Sequence, residues 1–313
     1  MSKYREQLPQ LSAARFITDG GLETTLIFEH GYDLPENAAF DLLSRPGGYE
    51  VLRDYFEPYV RLAQENAVGF ILESPTWRAS RDWGRMLGYT EGDLRDLNRT
   101  SIAMLGDLRR KNENSQTQMV ISGCIGPRGD GYQVTAHMTP KEAEAYHFDQ
   151  IRTLSQTEAD MVSAFTLNYA EEAVGIVRAA QKAQIPAVIG FTIETDGRLP
   201  SGQDLGEAIS EVDQATGKGP AYYMINCAHP THFAPVLERG GPWVQRIRAI
   251  RPNASAKSHA ELDGSEVLDT GDPRDLGQRC ADLAAKLPFL NIFGGCCGTD
   301  HRHVQQICQA GTI

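Results

Sequence analysis

Phe16-Ile17-Thr18-Asp19-Gly20-Gly21-Leu22-Glu23 separates two architectures. Phe16–Thr18 reads as a short β-strand, and Asp19-Gly20-Gly21 follows it directly. A doubly wound dinucleotide-binding sheet carries a Gly-x-Gly-x-x-Gly fingerprint at this point. Asp19-Gly20-Gly21-Leu22-Glu23 lacks that spacing. The first βα unit therefore favours a closed parallel barrel over an open sheet.

Further β-rich runs follow at Gly69–Glu73, Met119–Gly123, Met161–Phe165, Ala187–Phe191, Tyr223–Asn226, Ala254–Lys257 and Leu290–Gly294. Stretches of helical period lie between them. Leu52, Tyr55, Phe56, Tyr59, Leu62 and Ala63 share one helical face, as do Leu276, Cys280, Leu283, Ala284 and Leu287. Thr139-Pro140-Lys141-Glu142 combines an N-cap, a first-turn proline and the returning glutamate of a capping box, and Asp272-Pro273 opens a helix similarly. Strands alternating with helices in this way predict an α/β fold of the (β/α)8 TIM type, as a single domain over residues 1–313.

The composition suits that fold. The 313 residues are 41% hydrophobic and 23% charged, enough to bury a sizeable core. Thirty basic against forty-one acidic residues leave a net charge of −11 with no basic stripe, which argues against nucleic acid and anionic membrane as partners. MSKYREQLPQLSAARF has no apolar segment of signal-peptide length, and no run approaches a membrane span. A cytoplasmic protein is expected, with its six cysteines reduced and serving as core, metal or reactive thiols.

Cys227 directly follows the sixth predicted strand, in Ile225-Asn226-Cys227-Ala228-His229-Pro230, and Cys296 and Cys297 follow the eighth, in Gly294-Gly295-Cys296-Cys297-Gly298-Thr299. Carboxyl ends of barrel strands converge on one mouth, where active sites lie. Three thiolates there form a soft ligand set suited to zinc, with a fourth position left for substrate. Thr299 is a candidate cap for a helix running to Val304 and Ile307, whose N-terminal end would favour thiolates. Two other readings of these residues stay open: adjacent cysteines as core, and a glycine-rich turn as a phosphate site. Cys280 and Cys308 read as core.

Asp19-Gly20-Gly21, Ile225-Asn226-Cys227 and Gly294-Gly295-Cys296-Cys297-Gly298-Thr299, in this order along nearly the whole chain, resemble the homocysteine S-methyltransferase family. The cysteine-pair segment is the specific part. The resemblance implies a zinc-containing barrel with Cys227, Cys296 and Cys297 as metal ligands. It also implies that Asp19 helps to hold the amino group of the thiol amino acid. Ser122-Gly123-Cys124-Ile125-Gly126-Pro127 resembles the family's glycine-rich loop after strand three, which places Cys124 near the mouth and outside the metal site. After strand four, where the family carries a glutamate for the same amino group, this chain has Phe165 in Ser163-Ala164-Phe165-Thr166.

Thr166, Glu194 and His259, at or after strand ends, complete the candidate substrate-binding residues with Asp19; Glu73 and Asp196 are, with Glu194, the candidate carboxylates to replace the missing one. His229 and His232 read as loop residues around the metal site. The expected function is zinc-dependent methyl transfer from a sulfonium, S-methylmethionine or S-adenosylmethionine, to homocysteine, giving methionine. The barrel assignment leaves no stretch for a cobalamin or folate module, and Trp77, Trp83 and Tyr89 are a candidate cation–π wall for the donor. Phe165 opens the alternatives of a different thiol or selenol, or of a zinc- or thiol-binding barrel without catalysis.

Overall fold

Parallel strands close on one another in chain order: β1 (Phe16–Ile17), β2 (Gly69–Glu73), β3 (Met119–Ile125), β4 (Met161–Leu167), β5 (Ala187–Phe191), β6 (Tyr222–Asn226), β7 (Ile247–Arg251) and β8 (Ile292–Phe293). Phe16 pairs with both Gly69 and Ile292, which seals the barrel. This computed structural model describes residues 1–135, 137–263, 265 and 267–312. The (β/α)8 expectation is met.

Side chains alternate across the barrel wall with the period of two that a strand imposes. Phe16, Ile71, Val120, Met161, Val188 and Ile292 point inward and fill the barrel. Phe70, Leu72, Ile121, Phe191, Ile250 and Phe293 point outward into the layer of helices. The helix Gly48–Glu65 turns Leu52, Tyr55, Phe56, Tyr59, Leu62 and Ala63 onto that layer, the face expected from their spacing. Truncating a fully buried Phe56 to alanine would cost about 3–5 kcal/mol. The two predicted helix starts are also present: Thr139 and Glu142 form a reciprocal capping box, and Asp272 accepts from the Arg274 amide.

One strand lies elsewhere than expected. The run Ala254–Lys257 is a loop, and β7 is Ile247-Arg248-Ala249-Ile250-Arg251. Two arginines hide this strand from a reading based on apolar runs. Arg248, at its lower end, donates to the Gln10 and Ser12 carbonyls at 3.3 and 3.1 Å. Arg251, at the upper end, is buried among barrel residues and neutralised by a carboxylate from β1's loop. Among the described residues no helix is long and apolar enough to cross a membrane.

Candidate functional site

The mouth of the barrel gathers the three predicted cysteines. The sulfurs of Cys227, Cys296 and Cys297 lie within 4.8 Å of one another. Cys227 begins the loop after β6 with a φ of 54°, a left-handed value that an L-residue keeps only when its surroundings hold it. Here its amide donates to the Arg251 carbonyl at 3.1 Å. Its carbonyl accepts from the Thr192 hydroxyl at 3.2 Å and from His259 Nε2 at 2.6 Å. The Cys296 carbonyl accepts from the Thr299 hydroxyl at 2.6 Å. A Cβ added at Gly21 would lie 2.5 Å from that same carbonyl, so the Gly20-Gly21 turn serves close approach between the loops of β1 and β8.

Cys227 and Cys296 are joined as a disulfide, and Cys297 is a free thiol. The convergence that suits a metal also brings two sulfurs within bonding reach, with the Cα atoms 5.4 Å apart. In the reduced form the set offers three soft donors on one wall of a cavity, which fits a zinc site with a fourth position open to substrate. The Tyr132 hydroxyl lies 3.8 Å from the Cys297 sulfur, while burial pushes that thiol up to about 11. Cys280 and Cys308 are buried in the outer core, as expected, and Cys124 lines the cavity outside the sulfur cluster.

The cavity in front of the sulfurs has a volume of ≈ 260 Å³. Asp19 reaches it but is already engaged. One carboxylate oxygen lies 2.8 Å from Arg251 Nη2, and the other accepts from the Tyr55 hydroxyl at 3.1 Å. Burial raises its carboxyl above the usual range, against the opposing pull of Arg251. Thr166 also lines the cavity, with a φ of 61°. Its amide donates to Asn226 Oδ1 at 3.0 Å, and its hydroxyl lies 3.7 Å from the Cys227 sulfur. His259 stacks on Tyr132 with ring centroids 4.2 Å apart, and its Nδ1 lies 3.0 Å from Glu194 Oε1. Glu194 does not line the cavity, and its carboxylate instead braces His259 from behind. Asp196 folds into its own loop, where it accepts from the Arg198 amide at 2.9 Å.

Arg251 and Tyr132 were not singled out from the sequence. The inward parity of Ala249 in β7 extends to position 251, so a correct placement of that strand would have exposed Arg251. Its guanidinium lies 4.9 Å from the ring centroid of Phe165, which also lines the cavity. Glu73, at the inner end of β2, is buried, and desolvation raises its carboxyl to about 7 despite Arg251 and the Ser122 and Ser163 hydroxyls.

Three smaller expectations change. The candidate cation–π wall is filled from within the chain: Arg78 lies 3.9 Å from the Trp77 ring and 3.6 Å from Trp83, and Tyr89 packs on Phe40 away from the cavity. The helix His301–Ile307 is capped by Asp300, whose side chain accepts from the Arg302 amide, while Thr299 serves the Cys296 carbonyl. Of the two histidines expected in a loop, His229 caps the helix Pro230–Arg239, whereas His232 lies within the first turn of that helix, its Nε2 3.0 Å from the Ala256 carbonyl oxygen.

Similarity to known proteins agrees with this geometry. The model of the homocysteine S-methyltransferase family matches residues 16–311. Methionine synthase of Mycobacterium leprae (strain TN) is 23% identical over 286 residues, which are 86% of this chain and 22% of that protein. Homocysteine S-methyltransferase 1 of Arabidopsis thaliana is 23% identical over 201 residues, 59% of each chain. This chain thus spans less than two thirds of either curated relative. Among solved structures, the homocysteine methyltransferase MmuM from Escherichia coli shares the barrel at 17% identity. Its oxidized form has a TM-score of 0.76, covering 96% of this chain and 97% of that one. Its metallated form has a TM-score of 0.73, covering 95% and 96%. The chain belongs to the homocysteine S-methyltransferase family, a family of methyl-transferring enzymes.

Proposed function

We propose that this protein transfers a methyl group from a sulfonium donor, S-methylmethionine or S-adenosylmethionine, to the thiol of homocysteine, giving methionine. The observation that carries the reading is the convergence of the Cys227, Cys296 and Cys297 sulfurs on one wall of a substrate-sized cavity. In their reduced form these three residues would hold zinc. The ion supplies a position at which a substrate thiol is kept as thiolate near neutral pH. That a homocysteine methyltransferase of the same fold exists in both an oxidized and a metallated form supports a centre with these two states.

The chain's own residues orient and shield. Thr166 and His259 hold Cys227 in its left-handed conformation from two sides. Glu194 fixes the ring of His259 in turn. Trp77, Phe165 and Leu262 line the cavity with apolar surface that limits water. Glu23, Asp130 and Asp269 line the same cavity, a charge balance that favours a cationic donor. In the transfer, a bond forms between the thiolate sulfur and the methyl carbon as the donor carbon–sulfur bond breaks. The released electron pair stays on the donor sulfur, which leaves neutral, and the thiol proton is lost to solvent before attack. Alignment of the two sulfurs with the methyl carbon is the protein's main contribution.

This reading takes residues 1–313 as one catalytic domain acting on small molecules in a cytoplasmic, reducing setting, with neither nucleic acid nor membrane as partner. A second reading, a different thiol or selenol as acceptor, is favoured by the phenyl ring of Phe165 at the cavity wall. A matrix of thiols against sulfonium donors, run on reduced, zinc-loaded protein, separates them. Turnover of homocysteine supports the first reading. Turnover of other thiols with none of homocysteine refutes it.

A further inference from the structure

Among the described residues, five that line the cavity carry a buried polar atom without a hydrogen-bond partner: Asp19 Oδ1, which has its ion pair with Arg251, Glu73 Oε2, Arg78 Nε, Arg251 Nη1 and Asn253 Oδ1; Arg251 and Glu73 are the two that stand on barrel strands with opposite charge. Arg251 is 3% exposed and spends most of its guanidinium on the protein: Nε donates to the Gly295 carbonyl at 2.9 Å, and Nη2 serves the Gly20 carbonyl at 3.0 Å and Asp19 at 2.8 Å. Its Nη1 is buried and makes no hydrogen bond among the described residues. Glu73 is 7% exposed, and its Oε2 is likewise buried without a hydrogen-bond partner. Both residues line the cavity that holds the three cysteines. A buried guanidinium N–H or carboxylate oxygen left bare carries a desolvation penalty that no hydrogen bond offsets, and native interiors tolerate few of them. One orphan is a cationic donor and the other an anionic acceptor.

We propose that Arg251 Nη1 and Glu73 Oε2 form a receptor for the two charges of an α-amino acid, Arg251 taking the carboxylate and Glu73 the ammonium, while the thiol points to the cysteine cluster. The proposal deepens the functional reading above and rests on it. It assigns the ammonium to a carboxylate other than Asp19, whose oxygens face Arg251 and Tyr55. Phe165 then has a role consistent with its chemistry: its ring lies against the guanidinium and leaves Nη1 free for a ligand. The receptor selects for a thiol bearing both groups, since a ligand lacking either one leaves a buried charge unpaired.

The test uses reduced, zinc-loaded protein and three thiols: homocysteine, 4-mercaptobutanoate, which lacks the ammonium, and 3-mercaptopropylamine, which lacks the carboxylate. Dissociation constants are measured by calorimetry and KM with S-methylmethionine for wild type, Glu73→Gln and Arg251→Lys. Wild type is expected to bind homocysteine at least tenfold more tightly than either analogue. Glu73→Gln should weaken homocysteine at least tenfold and leave 4-mercaptobutanoate within twofold. Arg251→Lys should weaken homocysteine and 4-mercaptobutanoate together and spare 3-mercaptopropylamine. Melting temperatures report whether each variant folds, and the near-isosteric Glu73→Gln carries the test if Arg251→Lys does not. Homocysteine bound and methylated equally well by wild type and Glu73→Gln overturns the receptor and leaves the function standing. An equal loss of homocysteine and 4-mercaptobutanoate in Glu73→Gln also overturns it. Failure of wild type to bind homocysteine overturns both the receptor and the functional reading.

Discussion

His259 Nε2 lies 2.6 Å from the carbonyl oxygen of Cys227, a contact that ties the loop after β7 to the backbone of a cysteine at the end of β6. The bond restrains a residue whose φ of 54° is unfavourable for a side chain with a Cβ. Residues that orient metal ligands typically change metal affinity by about 10–100-fold when removed. His259→Ala is therefore expected to weaken zinc binding by at least tenfold, measured by competition with a chromophoric chelator. Unchanged affinity would show that Thr192 and the Arg251 carbonyl hold Cys227 unaided.

Metal content should follow the redox state of the Cys227–Cys296 pair. Protein reduced with a phosphine and supplied with zinc is expected to hold one ion per chain, and oxidised protein far less, by atomic absorption. Cys296→Ala should hold little after the same treatment, whereas Cys280→Ala should hold as much as wild type. Full zinc retention by Cys296→Ala would remove that cysteine from the ligand set.

Glu73 makes stability pH-dependent in a direction its burial dictates. Its carboxyl is raised from the ordinary 4.5 to about 7, chiefly by desolvation. The folded state therefore keeps a proton between these values that the unfolded chain releases. The penalty of a buried charge is absent below about pH 4.5, grows as pH rises and is complete above 7. Glu73→Gln removes this linkage. It should gain on wild type in unfolding free energy across that window, by at most about 3 kcal/mol. An identical pH profile for the two proteins would place Glu73 in a wetter environment than the structure gives it.

Asp19 and Arg251 form a buried ion pair, 2.8 Å apart. Removing one partner of such a pair leaves the other charge uncompensated, at a cost of about 3–5 kcal/mol. Asp19→Asn is expected to lower stability by that order in urea unfolding. A loss below about 1 kcal/mol would mean that the backbone carbonyls of Gly295, Gly20 and Asp19, at 2.9, 3.0 and 3.4 Å from the guanidinium, suffice for Arg251.

Much of this molecule was readable from local sequence. Ala187–Phe191 and Gly69–Glu73 were delimited correctly because a strand buried on both faces is a short apolar run. The face of the helix Gly48–Glu65 followed from its spacing. The cysteines stood out because they directly follow strand-like runs, and barrel topology sends such positions to one mouth. β7 was displaced because Arg248 and Arg251 break its apolar pattern, and what makes them tolerable there lies far away in sequence.

By itself the sequence determined the alternation that closes the barrel, the helix starts at Thr139 and Asp272 and the identity of the sulfur cluster, because each rests on neighbours along the chain. Only the tertiary structure decided that Asp19 answers Arg251, that Glu194 braces His259, that Arg78 fills the aromatic wall and that Glu73 has an oxygen to spare. These are partnerships of buried charge. The field of a charge in a low-dielectric interior reaches across space to whichever group the fold brings near, and no window of adjacent residues records which group that is.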